Sequence, residues 1–589
     1  MYTELKTYQI IIALLKKYGI KHCVLSAGSR NVPFVHSIEE DPFFECYSVV
    51  DERSAGYFAL GLSQQINAPV VISCTSSTAT CNYWPPVAEA FYQKVPLVVL
   101  TSDRDPQMLG HWEDQMIDQV GMYDRHVKKS VNLPIIHDHD DELYCQRLVN
   151  DALLELNHRG TGPVHINVPM KSYNNSFNIK QLPEVVKFER ISYKSEDNDW
   201  NSKFEELSKR KRILVVCGQK SYVSKQLKTS LKGFFGHYNS VIIADYMSNI
   251  ELDDALNTCV CMDARYVIPS KVKELKPDIV ISYGGQIFSG IKDQLKKLPY
   301  EFEHWLIQED GEIVDAFRSI TTIFECTPEF FFARAIKAAG NNINDRKYYG
   351  EFKNYIDSVV YPEFPWSHAY AIKQVVERIP EKSILHLSIN DAIRITNYFK
   401  LKPGIKTYAN IGTHGIDGPV SSFLGQAIAG KMPAYLIVGD LAFFYDMNAL
   451  RIRHINNNVH IMLINNQGGS EFYFNKMYRN EASDLHTTAR HHTKAEGWVK
   501  ENNFIYLSAH DKESLSKAIE TFMRSDLEKP VFLEVFTEMK RDSEVIYEFF
   551  DLSRPKDIQS EALRKSKEFI KRTIGQEKAQ SLVHMIKKR

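Results

Sequence analysis

The sequence is short of the features that would draw it toward nucleic acid, a membrane or an oxidising exterior. Its 72 Lys+Arg against 73 Asp+Glu leave a formal net charge of −1, so there is no basic field for phosphate backbones. No apolar run reaches the ~20 residues that a membrane-spanning helix needs. Nine cysteines (Cys23, Cys46, Cys74, Cys81, Cys145, Cys217, Cys259, Cys261, Cys326) are scattered without a CxxC pair. Most sit in apolar strand-like runs, which excludes a disulfide or zinc framework and reads as reduced core residues. The charged start, with Glu4, Lys6, Lys16 and Lys17, reads as an amphipathic helix and not as a signal peptide. Low-complexity tracts and short repeats are also missing. These absences predict a soluble, cytoplasmic protein with no nucleic-acid or membrane partner.

What is present is a long chain of ordinary composition, 44% hydrophobic and 25% charged over 589 residues. A soft prior of ~150 residues per domain divides it into three or four cores. Short apolar strands alternate with helical patterns in three blocks, which predicts three doubly wound α/β domains with parallel sheets. The first block, 1–185, includes strands His22–Leu25, Val70–Ser73, Leu97–Thr101 and Val164–Val168. Pro183–Trp200 is charged and aperiodic and reads as a linker. The second block, 200–340, carries strands Arg212–Val216, Ser240–Ile243, Ile279–Ser282 and His304–Ile307. A charged, Asn-rich stretch, Gly340–Arg346, introduces the third, 347–550. Blocks one and three share strand order and ligand-side glycines. The remainder, 551–589, reads as a basic helical tail with one apolar stripe.

The densest signal lies in the third block, where Val438–Gly469 reads VGDLAFFYDMNALRIRHINNNVHIMLINNQGG. A buried strand ends in Gly439-Asp440, a helix-like crossover follows, and a second strand runs into Asn465-Asn466-Gln467-Gly468-Gly469. That puts Asp440 and Asn466 at the carboxyl ends of neighbouring parallel strands, where open α/β sheets bind ligands. A hard divalent cation takes oxygen ligands and keeps positions open for substrate phosphates. Asp440 offers a carboxylate, Asn466 an amide oxygen and Gly468 an unobstructed backbone carbonyl. An ordinary βαβ unit ending in a turn is the plainer alternative.

In the first block, Ser26-Ala27-Gly28-Ser29-Arg30 leaves a strand for a helix. The turn presents backbone N–H groups, and Arg30 adds a planar fork suited to a carboxylate. A glycine loop with a surface arginine remains open. Glu52, in DERSAGYFALGL, stands where a strand runs into an Ala/Gly-rich helix. By itself it could be a helix-start glutamate favoured by the macrodipole. Thr75–Pro85 forms a hydroxyl-rich loop containing Thr78 and Asn82. Arg104 and Gln115, from TSDRDP and DQMIDQ, sit in loops at the same end of the sheet.

Taken in order, SAGSR, DERSAGYFALGL, TSSTATCNYWPPVAEA, TSDRDP with DQMIDQ, NIGTHGIDG, GDLAFFYDMNAL and NNQGG resemble the thiamine-diphosphate (ThDP) enzymes. They resemble most the SEPHCHC (2-succinyl-5-enolpyruvyl-6-hydroxy-3-cyclohexene-1-carboxylate) synthase family of menaquinone synthesis. GDL in place of the more usual Gly-Asp-Gly is itself a trait of that family. The resemblance implies pyrimidine-binding, middle and diphosphate-binding domains. It also implies a homodimer or homotetramer whose active sites lie between subunits. Thiamine diphosphate and Mg2+, with Mn2+ as an alternative, are the implied cofactors. Glu52 would be the catalytic carboxyl on N1′ of the aminopyrimidine. Thr78, Asn82, Ile416, Gly439 and Leu441 would join Glu52 in holding the cofactor, and Asp440, Asn466 and Gly468 would ligate the metal. Arg30, Arg104, Gln115 and Arg394 would bind substrate carboxylates.

The departures from the family gather at the substrate positions. Ile411 replaces an arginine, and Ile389-Asn390 replaces an Asn-Ser pair ahead of Arg394. Glu471-Phe472 replaces an apolar pair, and the Lys-Arg pair of the middle domain has no clean counterpart near Gln286–Lys292. A lost cation and a gained carboxylate each disfavour a dicarboxylic oxo acid, because an unpaired buried charge is costly. The expected activity is decarboxylation of a 2-oxo acid donor with carboligation to a small-molecule acceptor. A related enzyme with another donor or acceptor, in a sugar or secondary-metabolite pathway, is the alternative. A non-catalytic protein with an assembly or regulatory role is a third reading, against which intact Glu52 and Asp440 argue.

Overall fold

The computed structural model describes residues 1–173, 176–430 and 432–553. The basic tail expected over 551–589 lies outside them from residue 554 onward. Three wholly parallel sheets of six, seven and six strands organise the chain. The first comprises β1 (His22–Leu25), β2 (Glu45–Ser48), β3 (Val70–Cys74), β4 (Leu97–Arg104), β5 (Ser130–Asn132) and β6 (Val164–Met170), in the order β2-β1-β3-β4-β6-β5. The second holds β7 (Glu189–Ser192), β8 (Ile213–Cys217), β9 (Ser240–Ala244), β10 (Ala255–Leu256), β11 (Ile279–Tyr283), β12 (Glu303–Ile307) and β13 (Ile320–Glu325). The third holds β14 (Ile384–Leu387), β15 (Lys406–Tyr408), β16 (Ala434–Gly439), β17 (Val459–Asn465), β18 (Ile505–Ala509) and β19 (Val531–Phe536). Its order, β15-β14-β16-β17-β19-β18, repeats that of the first sheet strand for strand.

The described residues form two compact units, one from within 1–203 and 299–331 and the other from within 204–298 and 332–553. In the first unit, alternate residues of each central strand face opposite cores. Cys23, Val71 and Val98 point into one with helix Lys6–Tyr18, while Val24, Val70, Ile72 and Val99 point into the other. A sheet covered on both faces needs continuous apolar strands, and Val70–Cys74 is buried throughout. The same unit holds β12, β13 and β7 of the second sheet. The second unit holds β10, β9, β8 and β11, and all of the third sheet. There Val438, Ile461, Leu463 and Phe443 form a core with helix Pro419–Gly430.

The stretch Pro183–Trp200, read as a linker, carries β7 and the start of helix Asp197–Ser208. β7 is a four-residue edge strand reading Glu-Arg-Ile-Ser, with one fully buried side chain, so it leaves no apolar alternation to see. The amphipathic helix expected at the start of the chain is Lys6–Tyr18. All nine cysteines are free, seven of them buried, with Cys46 and Cys81 exposed. Among the described residues no helix is long and apolar enough to cross a membrane.

Candidate active site

In the third sheet the strand order reverses between β14 and β16, and the crevice at such a switch point is where α/β sheets take ligands. β16 pairs with β17 so that Gly439 lies opposite Ile464, which brings Asp440 and Asn466 side by side at the carboxyl ends. A cavity of about 100 Å3 there is lined by Asn390, Ile416, Gly439, Asp440, Leu441, Asn466, Gly468 and Glu471. Eight positions singled out from the sequence thus meet in one cavity. Asp440 is buried and pinned: Oδ2 accepts from the Gly468 N–H at 2.9 Å and Oδ1 from the Leu441 N–H at 2.6 Å. His491 Nε2 stands 3.3 Å from the same carboxylate. Gly468 has φ +148°, and a Cβ there would lie 2.7 Å from the Thr488 carbonyl oxygen, so the turn admits only glycine. Asn390 and Gln467 flank the cavity at φ +64° and +69°. Backbone held in such sparsely populated regions collects at functional sites.

A carboxylate, an amide oxygen and a backbone carbonyl form a hard donor set, matching a divalent cation that keeps positions for phosphate oxygens. Its members are held by hydrogen bonds before any ion arrives. The residues present therefore fit a metal–diphosphate group.

Arg394 lies beside this cavity but is already engaged. Its Nη1 donates to Asp391 Oδ1 and Glu471 Oε2, both at 3.0 Å, and its Nη2 to Glu471 Oε1 at 3.1 Å. The guanidinium also sits 4.5 Å over the Phe474 ring. Burial alone would lower its pKa, but the two carboxylates raise it above the ordinary arginine value. Ile411 is fully buried in the apolar interior, and Phe472 packs against the Gly469 turn.

Behind the metal loop is a buried polar chain that sequence reasoning missed. His368 places Nε2 3.6 Å from Asp391 Oδ2 and Nδ1 3.3 Å from Asp542 Oδ1. Burial opposes its charge, yet the paired carboxylates, Asp542 foremost, push its pKa up to about 10. Asp391 also accepts from Ser470 Oγ at 2.6 Å, and its pKa falls well below the usual carboxylate range against the resistance of burial. His368 and Asp542 are 174 residues apart, so no local spacing could have announced them.

In the first sheet the singled-out residues also gather at carboxyl ends. Gly28 lies so close to Thr75 that a Cβ would meet its side chain at 2.4 Å. Glu52 is half-buried as the first residue of helix Glu52–Ile66, whose N-cap, Asp51, accepts from the Arg53 and Ser54 N–H groups. Asn82 Nδ2 donates to Glu52 Oε2 at 3.3 Å, which joins the hydroxyl-rich loop to the glutamate. Thr78 is exposed at the start of helix Thr78–Asn82, after Ser77 at φ +71°. Arg30, 5% exposed, donates through Nη1 to Gln115 Oε1 at 2.7 Å. Burial and the neighbouring Arg104 both lower its pKa. Arg104 pairs with Glu113 at 3.3 Å and Asp114 at 2.9 Å.

The family described as thiamine pyrophosphate enzyme, N-terminal TPP-binding domain, matches residues 5–122. With the two doubly wound sheets of like order and the oxygen-donor cavity, this defines the class: a thiamine-diphosphate enzyme that works with a divalent metal. Curated relatives narrow it further. A Bacteroides thetaiotaomicron protein is 36% identical over 555 residues, spanning 93% of this chain and 99% of its own length. One from Bacteroides fragilis is 37% identical over 562 residues, with the same shares. One from Flavobacterium johnsoniae is 30% identical over 572 residues, again spanning 93% and 99%. All three are named 2-succinyl-5-enolpyruvyl-6-hydroxy-3-cyclohexene-1-carboxylate synthase. The chain belongs to that family.

Proposed function

We propose that this chain decarboxylates 2-oxoglutarate and joins the remaining four carbons to isochorismate, the reaction implied by the product in its relatives' name. A succinyl group is what 2-oxoglutarate leaves after loss of CO2. The observation that carries the reading is the convergence of Asp440, Asn466 and Gly468 on one cavity. These three would hold the divalent ion against the cofactor's diphosphate, with Ile416 and Leu441 supporting its body. Thiamine diphosphate, when bound, supplies the nucleophilic carbon and the electron sink for decarboxylation. Glu52 holds a proton at N1′ of the aminopyrimidine, oriented by Asn82, with Thr78 at the mouth of the same loop. Arg30 and Arg104, with Gln115, receive substrate carboxylates through charge-assisted hydrogen bonds.

The three sheets support a division into domains 1–185, 200–340 and 347–550, with β7 contributed by the intervening stretch. Val50, Tyr57 and Phe58 are exposed around a half-buried Glu52, which supports a homodimer or homotetramer in which another copy completes the site. Nine unpaired cysteines suit a cytoplasmic enzyme. A second reading, with a donor lacking a distal carboxylate, is favoured by the Arg394–Glu471 pair and by buried Ile411. The test is donor-dependent CO2 release with ThDP, Mg2+ and isochorismate, with mass analysis of the product. Release from 2-oxoglutarate and a succinylated product are expected. Turnover of pyruvate in its place would establish the second reading, and no ThDP-dependent turnover would overturn both.

A further inference from the structure

An asparagine that ligates a metal has an orientation problem. Its amide is nearly symmetric in shape, and a half-turn about the last bond replaces the ligating oxygen with an NH2 group that repels a cation. Asn466 is buried, and its Nδ2 donates to Asp542 Oδ2 at 3.2 Å. Asp542 is fully buried in the first turn of helix Met539–Ser553. Donors surround it: Thr537 Oγ1 at 2.6 Å on the same oxygen and the His368 N–H at 2.8 Å on the other. An ionised carboxylate is acceptor-only, so it can be faced by Nδ2 and not by Oδ1. Flipping Asn466 would set oxygen against carboxylate on one side and NH2 against the ion on the other.

We propose that Asp542 is a positioning residue that locks the Asn466 amide with Oδ1 toward the metal. It does not itself line the cavity. The buried chain His368–Asp391–Arg394 continues from it to Glu471, at the substrate side of the cavity. This inference rests on the reading of Asn466 as a metal ligand, and the test separates the two.

The measurement is Mn2+ affinity of the full chain in the presence of ThDP, read from the electron paramagnetic resonance signal of free Mn2+. Asp542→Asn, which keeps size but can be faced by either end of an amide, is expected to weaken Mn2+ binding at least ~10-fold, the low end for an outer-shell partner. Thr537→Val removes a different donor from the same carboxylate oxygen and is expected to leave affinity within about twofold of wild type. The decisive arm is Asn466→Asp, whose two oxygens are equivalent and need no lock. In that background Asp542→Asn is expected to cause no further loss, a rescue that a merely structural role would not give. Should Asp542→Asn alone fail to fold, the double variant still decides. Binding at least as tight as in Asn466→Asp, where one aspartate oxygen faces the Asp542 carboxylate, supports the lock, and weaker binding overturns it. Unchanged Mn2+ affinity in Asp542→Asn, with Asn466→Ala unable to bind, also overturns the lock while leaving the metal site standing. Unchanged affinity in Asn466→Ala would overturn the ligand reading and the lock together.

Discussion

Asp440 and Glu52 leave the ends of strands in two sheets of identical order, yet the protein holds them differently. Asp440 is 2% exposed, with both carboxylate oxygens receiving backbone N–H groups. Glu52 is half-buried, met by a 3.3 Å hydrogen bond from Asn82 and flanked by exposed Val50, Tyr57 and Phe58. The Asp440 carboxylate is thus preorganised within its own sheet, so little reorganisation would oppose the binding of an ion there. On the proposed reading, another copy of the chain and the cofactor would complete the surroundings of the glutamate. On that reading, cofactor retention and proton chemistry would reside in separate parts of the chain and should respond separately to substitution.

Glu52→Gln gives the largest effect that separates them. Shape and some hydrogen bonding survive, while proton exchange with N1′ is lost. C2–H exchange of bound ThDP, followed by NMR in D2O, should slow at least ~100-fold, with ThDP affinity little changed. Parallel losses of binding and exchange would erase the division.

A smaller effect is expected at the substrate side. Where Arg394 receives the distal carboxylate of a dicarboxylic donor, Glu471 competes with it, and a charge-assisted hydrogen bond is worth about 1.5–3 kcal/mol. Glu471→Gln should raise kcat/KM for 2-oxoglutarate by ~10-fold and leave pyruvate untouched. An equal rise for both donors would show that Glu471 acts on access, not on charge.

A third effect concerns pH. His368 has its pKa raised to about 10 in the folded protein, above the ordinary value of 6.5. Its contribution to stability is therefore complete below about pH 6.5 and fades as pH rises toward 10. Urea midpoints should fall over that range in wild type and more shallowly in His368→Gln. Identical slopes would remove His368 from the account.

Much of this was readable in the chain. A buried strand ending in Gly439-Asp440 and another ending in Asn465-Asn466 could only deliver those side chains to one edge, and β16 and β17 do so. The internal strands β1, β3, β4, β6, β8, β9, β11, β12, β16 and β17 were visible because burial on both faces makes them nearly continuously apolar. By contrast β14 and β19, with His386 and Glu534 inside them, were not marked. The strands that escaped include the edge strands β5, β7, β10, β15 and β18, together with β13, β14 and β19, which lie inside their sheets. β2 buries none of its four residues fully, which leaves no period to detect, so only its end, running into the helix at Glu52, was read. The polar chain behind the metal loop was equally silent. Asp542, Asp391 and His368 acquire meaning only when three elements remote in sequence pack together. The Arg394–Glu471 pair lay between: both residues were marked from the sequence as substrate positions, but their bidentate contact had to be seen.

The central claim is that Asp440, Asn466 and Gly468 hold thiamine diphosphate through a divalent ion. Isothermal titration of wild-type protein with ThDP, once in excess Mg2+ and once in EDTA, tests it directly. Binding in Mg2+ and its loss in EDTA are predicted. Equal affinity under both conditions would contradict the account.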